Sequence, residues 1–211
     1  YYIYQVNSRA LEEATERDMG VFIISPTDKG GMLQEPPEMF RQLCQPLEPM
    51  AFNDLYCLAR PEIHTISIGA ARPSDFAVHV EALNHLDAGD VVAKIDEKCC
   101  QAMIEATGFS RPEALWAKLP SWEKTPGLVN IPFILWLYNL ARGWGLLSYS
   151  RYRYKKLGQE VKWVPGNNGA GVSCYDLKSI AAGVGLGNDE LVALLEKAHR
   201  LLGEQEGKMV C

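Results

Sequence analysis

Two short stretches of this 211-residue chain carry residue types at spacings suited to holding an anion. The first is Ser25-Pro26-Thr27-Asp28-Lys29-Gly30-Gly31-Met32-Leu33, and the second is Gly69-Ala70-Ala71-Arg72-Pro73-Ser74-Asp75. Gly30, Gly31 and Gly69 lack a Cβ, so their backbone can come close to a phosphate and offer its N–H groups to the oxygens. Arg72 stands near a helix start, where a guanidinium can grip a phosphate through two parallel bonds. Taken alone, the Gly30-Gly31 pair reads equally well as an ordinary turn.

Other candidate groups read as structural. Cys44, Cys57, Cys99, Cys100, Cys174 and Cys211 show no C-x-x-C spacing, so neither a zinc site nor a redox pair is expected from spacing, and a reducing compartment fits their scatter. His64, His79, His85 and His199 show no ligand spacing either. Arg151-Tyr152-Arg153-Tyr154-Lys155-Lys156 interleaves cations with aromatics in the manner of single-strand nucleic-acid binders, but in an acidic chain it reads as a packed aromatic face with solvated basic ends. Gly183-Val184-Gly185-Leu186-Gly187 lacks a preceding strand and the glycine spacing of a dinucleotide fingerprint, and reads as a helix stop and cap. Gly166-Asn167-Asn168-Gly169-Ala170-Gly171 lacks the Lys-Ser/Thr of a P-loop and reads as a connection.

Composition bounds the rest. The hydrophobic fraction of 47% and charged fraction of 22% are those of a soluble globular protein. A formal charge of -5 gives no reason to expect nucleic acid or an anionic membrane as partner. No apolar run reaches the roughly 18 residues of a membrane span, and no secretory signal opens the chain, so a cytoplasmic location is the expectation.

The elements that must position the two glycine turns are strands. Tyr1-Tyr2-Ile3-Tyr4-Gln5-Val6 has strand character, and with no initiator methionine the chain reads as one entered in mid-fold. Residues 8–19 read as a helix ended by Gly20, and Gly20-Val21-Phe22-Ile23-Ile24-Ser25 as a strand buried on both faces, as in a helix-covered parallel sheet. Residues 35–58 are partly helical, and Ile63-His64-Thr65-Ile66-Ser67-Ile68 is a second buried strand. Pro73-Ser74-Asp75 opens a further helix. This alternation predicts βαβ units in an α/β fold. From about residue 90 the periodicity is helical, with loops at 119–130 and 158–172, and the boundary is placed at residues 106/107. Trp116, Trp122, Trp136, Trp144 and Trp163 suggest a compact aromatic core in that second part.

Residues 25–33 resemble the aldo-keto reductase segment in which a late barrel strand ends in Ser-Pro and runs to a Gly-x-Leu. Residues 66–73, Ile66-Ser67-Ile68-Gly69-Ala70-Ala71-Arg72-Pro73, are similar to that family's last strand and the loop that approaches the adenosine end of its cofactor. The resemblance covers residues 1 to about 88. It implies the C-terminal part of a (β/α)8 barrel, about three parallel strands with helices, followed by a mostly α-helical segment; the domains are 1–106 and 107–211. It also implies NADPH or NADH as cofactor, held by Ser25, Pro26, Thr27, Lys29, Gly30, Gly31, Leu33, Gly69, Ala70, Arg72 and Asp75. His79 joins them because Val78-His79 stand where the family carries the Glu-Asn pair that holds the adenine. The family's catalytic Asp, Tyr, Lys and His come from early strands, so none is assigned, and Tyr2, Tyr4, Asp28, Lys29 and His64 are not promoted to those roles.

Residues 126–132, Pro126-Gly127-Leu128-Val129-Asn130-Ile131-Pro132, resemble the stretch after the cluster motif in the ferredoxin-like segment that some bacterial aldo-keto reductases append. The implied ligand positions hold Leu115, Lys118, Ser121 and Thr125, then Cys174, Leu177, Ile180 and Val184. Seven of eight thiolates are thus absent, and no iron–sulfur cluster is expected. Two functions follow as expectations. One is NAD(P)H-dependent reduction of a small carbonyl substrate by the complete protein, its catalytic half lying outside this chain. The other is a non-catalytic truncated barrel acting as an interaction or structural module, whose exposed strand edges and apolar faces should make it self-associate, recruit a partner or aggregate.

Overall fold

A computed structural model of the chain describes residues 1–4, 7–27, 31–70, 72–109, 117–159 and 164–203. The chain divides into two compact units, Tyr1–Ala102 with Trp144–Leu146, and Met103–Gly143 with Leu147 onward. Among the described residues no helix is long and apolar enough to cross a membrane.

The first unit is built on helices around a small sheet. Its elements are α1 (Ser8–Glu16), β1 (Val21–Ile23), α2 (Glu38–Cys44), α3 (Pro49–Leu58), β2 (Ile63–Ile66), α4 (Ala77–Leu83) and most of α5 (Gly89–Thr107). Strands β1 and β2 run parallel, pairing Val21 with Ile63, Phe22 with Thr65 and Ile23 with Ile66, with an irregularity after Val21. At that irregularity the His64 imidazole accepts the Val21 N–H at 3.1 Å. Beyond the last pair, the Ser67 N–H donates to the Ile23 carbonyl at 2.7 Å. Ile63 is buried, and β2 packs on α3, which also packs against α4.

This overturns the barrel expectation, since the described residues are mostly helical and hold two parallel strands rather than about three. The expected first strand is instead a turn closed by a Tyr4 N–H bond to the Tyr1 carbonyl at 3.1 Å; Gln5 and Val6 lie outside the described residues. The cause is the use made of Tyr2. Its ring stacks on Trp144 at 5.1 Å and meets Phe52 and Tyr56 edge-on at 4.5 and 4.9 Å. Its N–H donates to Asn53 Oδ1 and its hydroxyl to Asp96 Oδ1, both at 3.0 Å. A short apolar run signals burial, and it does not distinguish a strand from a plug in an aromatic core. Nor is β1 buried on both faces, because Phe22 is 58% exposed and Ile24 beyond it 62%.

The second unit holds α6 (Ile131–Gly143), α7 (Leu147–Tyr154), α8 (Lys178–Gly183) and α9 (Asn188–Leu202). Helix α6 is apolar almost all round and is buried along its length, as a central helix must be. Helices α7 and α9 pack on it, with Leu191, Leu195, Ala198 and Leu202 of α9 turned inward. The expected cap after the Gly183–Gly187 stretch forms, the Gly187 N–H donating to Glu190 Oε2 at 2.7 Å. The tryptophans do not build one core: Trp136 packs with Phe133 and Tyr149 in this unit, Trp144 belongs to the first, and Trp116 and Trp163 lie outside the described residues.

Gly127 sits at φ 63° against the Tyr175 ring, which occupies the place of a Cβ. Gly127→Ala should therefore cost about 2 kcal/mol or more from left-handed strain and overpacking together. In urea denaturation the double variant with Tyr175→Ala should recover part of that loss. Equal stability of Gly127→Ala and wild type would contradict the packing.

Candidate functional site

The candidate site lies where β1 and β2 end. Two paired parallel strands present their carboxyl ends at the same sheet edge, about 5 Å apart, and such edges are where α/β sheets bind ligands. The residues leaving β1 turn at once: Ser25 takes a left-handed φ of 55°, which a side-chain-bearing residue adopts only under local constraint. The turn is sealed at its base, where the Leu33 N–H donates to the Thr27 carbonyl at 2.8 Å. Pro26, Thr27, Gly31 and Leu33 are buried, and Ser25 is exposed. Lys29 and Gly30, with Asp28, lie outside the described residues.

The two described glycines serve different ends. Gly31 has φ 129°, and a Cβ there would come within 2.9 Å of Ile3 and 3.0 Å of Leu33. Its missing side chain is thus explained by internal packing. Gly69 is exposed with nothing within 4 Å of a Cβ position, so its backbone and that of exposed Ala70 are open to a ligand.

Arg72 follows as the residue before the 3-10 turn Pro73–Phe76, which leads into α4. The Asp75 carboxylate caps this turn, accepting the Arg72 N–H on Oδ2 at 3.0 Å. Its Oδ1 accepts from Arg72 Nε at 3.1 Å and from a terminal guanidinium nitrogen at 3.0 Å. With 79% of its side chain exposed, Arg72 sits beside open Gly69 and Ala70 in the chain, already held by an anion. An incoming phosphate would compete with, or add to, the Asp75 carboxylate.

His79 is not brought to this edge. Only 6% exposed, its Nδ1 lies 2.5 Å from Asp54 Oδ2, joining α4 to α3 from within. An imidazole turned into the core has no face to offer an adenine. Its partner Asp54 was not singled out by the sequence reading, although a carboxylate within the apolar run 49–58 is a signal for a buried pair. Burial is the larger influence on Asp54 and pushes its carboxyl up from the ordinary value, while the hydrogen bond and charge of His79 draw it part of the way back.

Of the positions implied as cluster ligands in the second unit, Thr125, Leu177 and Ile180 are turned to packing, Lys118, Ser121 and Cys174 are exposed, and Leu115 lies outside the described residues. The Thr125 hydroxyl bonds the Trp122 and Val129 carbonyls at 2.7 and 2.6 Å, and Leu177 and Ile180 are buried. Among the described residues there is no group of three or more side chains able to hold a metal. Arg153 lies buried over the Tyr149 ring, and Tyr154 is buried with its hydroxyl 2.7 Å from His199 Nδ1, so this part of the basic stretch belongs to the core. No protein-family model matches the chain, and neither a curated protein nor a solved structure matches it.

Removing His79 leaves the Asp54 carboxylate buried without its partner, so His79→Ala should lose about 3 kcal/mol or more in denaturant unfolding. A carboxyl whose value is raised on folding contributes stability that is fully present below its unfolded value and lost as pH rises through the folded one. Stability of the wild type relative to Asp54→Asn should therefore fall as pH climbs from about 4. A pH-independent difference would contradict the burial of that charge.

Proposed function

We propose that this chain carries part of a nicotinamide-dinucleotide site in an aldo-keto reductase-like oxidoreductase that reduces a small carbonyl substrate. Gly69 and Ala70 meet the diphosphate and Arg72 the phosphate on the ribose, and Ser25 and Thr27 line the neighbouring turn. The chemistry is transfer of a hydride from NADPH or NADH to the carbonyl carbon with protonation of its oxygen, and no residue of this chain is assigned as the acid. The observation that carries the reading is the parallel pairing of β1 with β2, which sends both candidate turns off one edge. Open backbone at Gly69 and an exposed guanidinium three residues later supply the donors an anionic cofactor needs.

A second reading, a self-associating interaction module, is favoured by the exposure of Phe22, Ile24 and Val80. Large apolar side chains left in water at β1 and on α4 invite a second copy to cover them.

Calorimetric titration with NADPH and with NADH tests the first reading. Binding is expected, and Arg72→Ala should weaken NADPH by about tenfold or more while changing NADH little, as loss of a charge-assisted bond to the extra phosphate requires. Absence of heat with either nucleotide would remove the reading. Light scattering across a concentration series tests the second, under which Phe22→Glu should lower the mass of the particle.

A further inference from the structure

One rung between β1 and β2 is supplied by a side chain. The strands slip out of step after Val21, which pairs with Ile63 while Phe22 pairs with Thr65, so His64 is the extra residue of a bulge with no partner across the ladder. Its imidazole takes the place of the missing carbonyl, Nδ1 accepting the Val21 N–H at 3.1 Å. An N–H is accepted only by a ring nitrogen that carries no proton, which fixes this imidazole as neutral with its hydrogen on Nε2. A proton on Nδ1 turns the acceptor into a donor, and two donors facing each other cannot bond. His64 is exposed, so protons reach the ring from solvent.

We propose that His64 is a proton-sensitive clasp on the β1–β2 pair: the neutral ring closes the ladder at its bulge, and the protonated ring releases the start of β1. With three registered residues in the pair, one rung is a large share of what holds it. The rung at the other end, from the Ser67 N–H to the Ile23 carbonyl, is backbone alone and carries no titrating group. Release therefore starts at Val21, and the turn after Ile24 is then anchored by the later pairs only.

Among the described residues the bond from Val21 is the one hydrogen bond of His64, and the ring joins no ion pair. Strand β1 has no titratable side chain; of the residues leading into it, Arg17 pairs with Glu13 and Asp18 is exposed. Helix α3, which packs on β2, carries Asp54 bonded to His79, Tyr56 whose hydroxyl accepts from Arg60, and buried Cys57. On β2's own side, half-buried Glu62 stands two residues before His64.

Long-range proton–nitrogen NMR correlation of the imidazoles, with amide exchange of the same labelled chain, tests the clasp between about pH 8 and pH 5, the span over which imidazoles take up a proton. At the upper end the His64 ring should show the Nε2–H tautomer. As it takes up its proton, the protection factor of the Val21 amide should fall by about fivefold in step with the ring signal, as loss of one hydrogen bond requires, and that of Ser67 should fall less. His64→Asn sets an amide oxygen close to the place of Nδ1 and should keep Val21 protected at both ends of the range; His64→Ala should lose that protection at both. Both variants change an exposed side chain and leave the core untouched. An Nδ1–H tautomer at high pH, Val21 protection that is constant or moves apart from the His64 titration, or an equal fall in His64→Asn would overturn the proposal. Every readout is made without nucleotide, so the outcome stands apart from that of cofactor binding.

Discussion

Three paired residues between β1 and β2 fix the sheet end at which the described residues of the two candidate turns leave. Strands this short do not hold a parallel pair by themselves, because parallel ladders are stable only when helices cover them. Here α3 lies under β2, and the buried Asp54–His79 pair joins α3 to α4. The stretch leaving β2 is thus fixed at one end by the ladder and at the other by α4. The stretch leaving β1 is fixed by the ladder and by Leu33, which is buried and bonded back to Thr27.

The chemistry of that edge is narrower than its glycines suggest. Gly31 is required by the close approach of Ile3, so its small size speaks to packing, whereas Gly69 has open space and no such constraint. Arg72 is bonded to Asp75 through Nε and a terminal guanidinium nitrogen, so a phosphate at this guanidinium would compete with a carboxylate already in place. Adenine recognition has no candidate left at His79, whose ring is committed to the core.

Elements with strong periodicity and end signals were legible in the sequence. The Pro73-Ser74-Asp75 start and the last helix after Gly187 stand where capping residues and apolar spacing put them, and the helix Gly89–Thr107 lies in the stretch whose periodicity is helical from about residue 90. What failed has a common cause. Tyr2, Ile3, Phe22 and Ile24 are apolar, and apolarity alone does not say whether a residue plugs a core, covers a strand or stands exposed. Tyr2 entered an aromatic cluster with a tryptophan more than a hundred residues away, Ile3 is buried, and the last two face water. The Asp54–His79 pair is not legible because its members are distant in sequence, and spacing rules see only neighbours along the chain.

The central claim is that the turns after β1 and β2 form one anion-binding edge. Nuclear magnetic resonance titration of the ¹⁵N-labelled chain with NADP⁺ tests it residue by residue. The amide signals of Ser25 and Thr27 should move together with those of Gly69, Ala70 and Arg72, along one saturation curve. Movement of only one of the two groups, or of neither while signals elsewhere respond, would contradict the account.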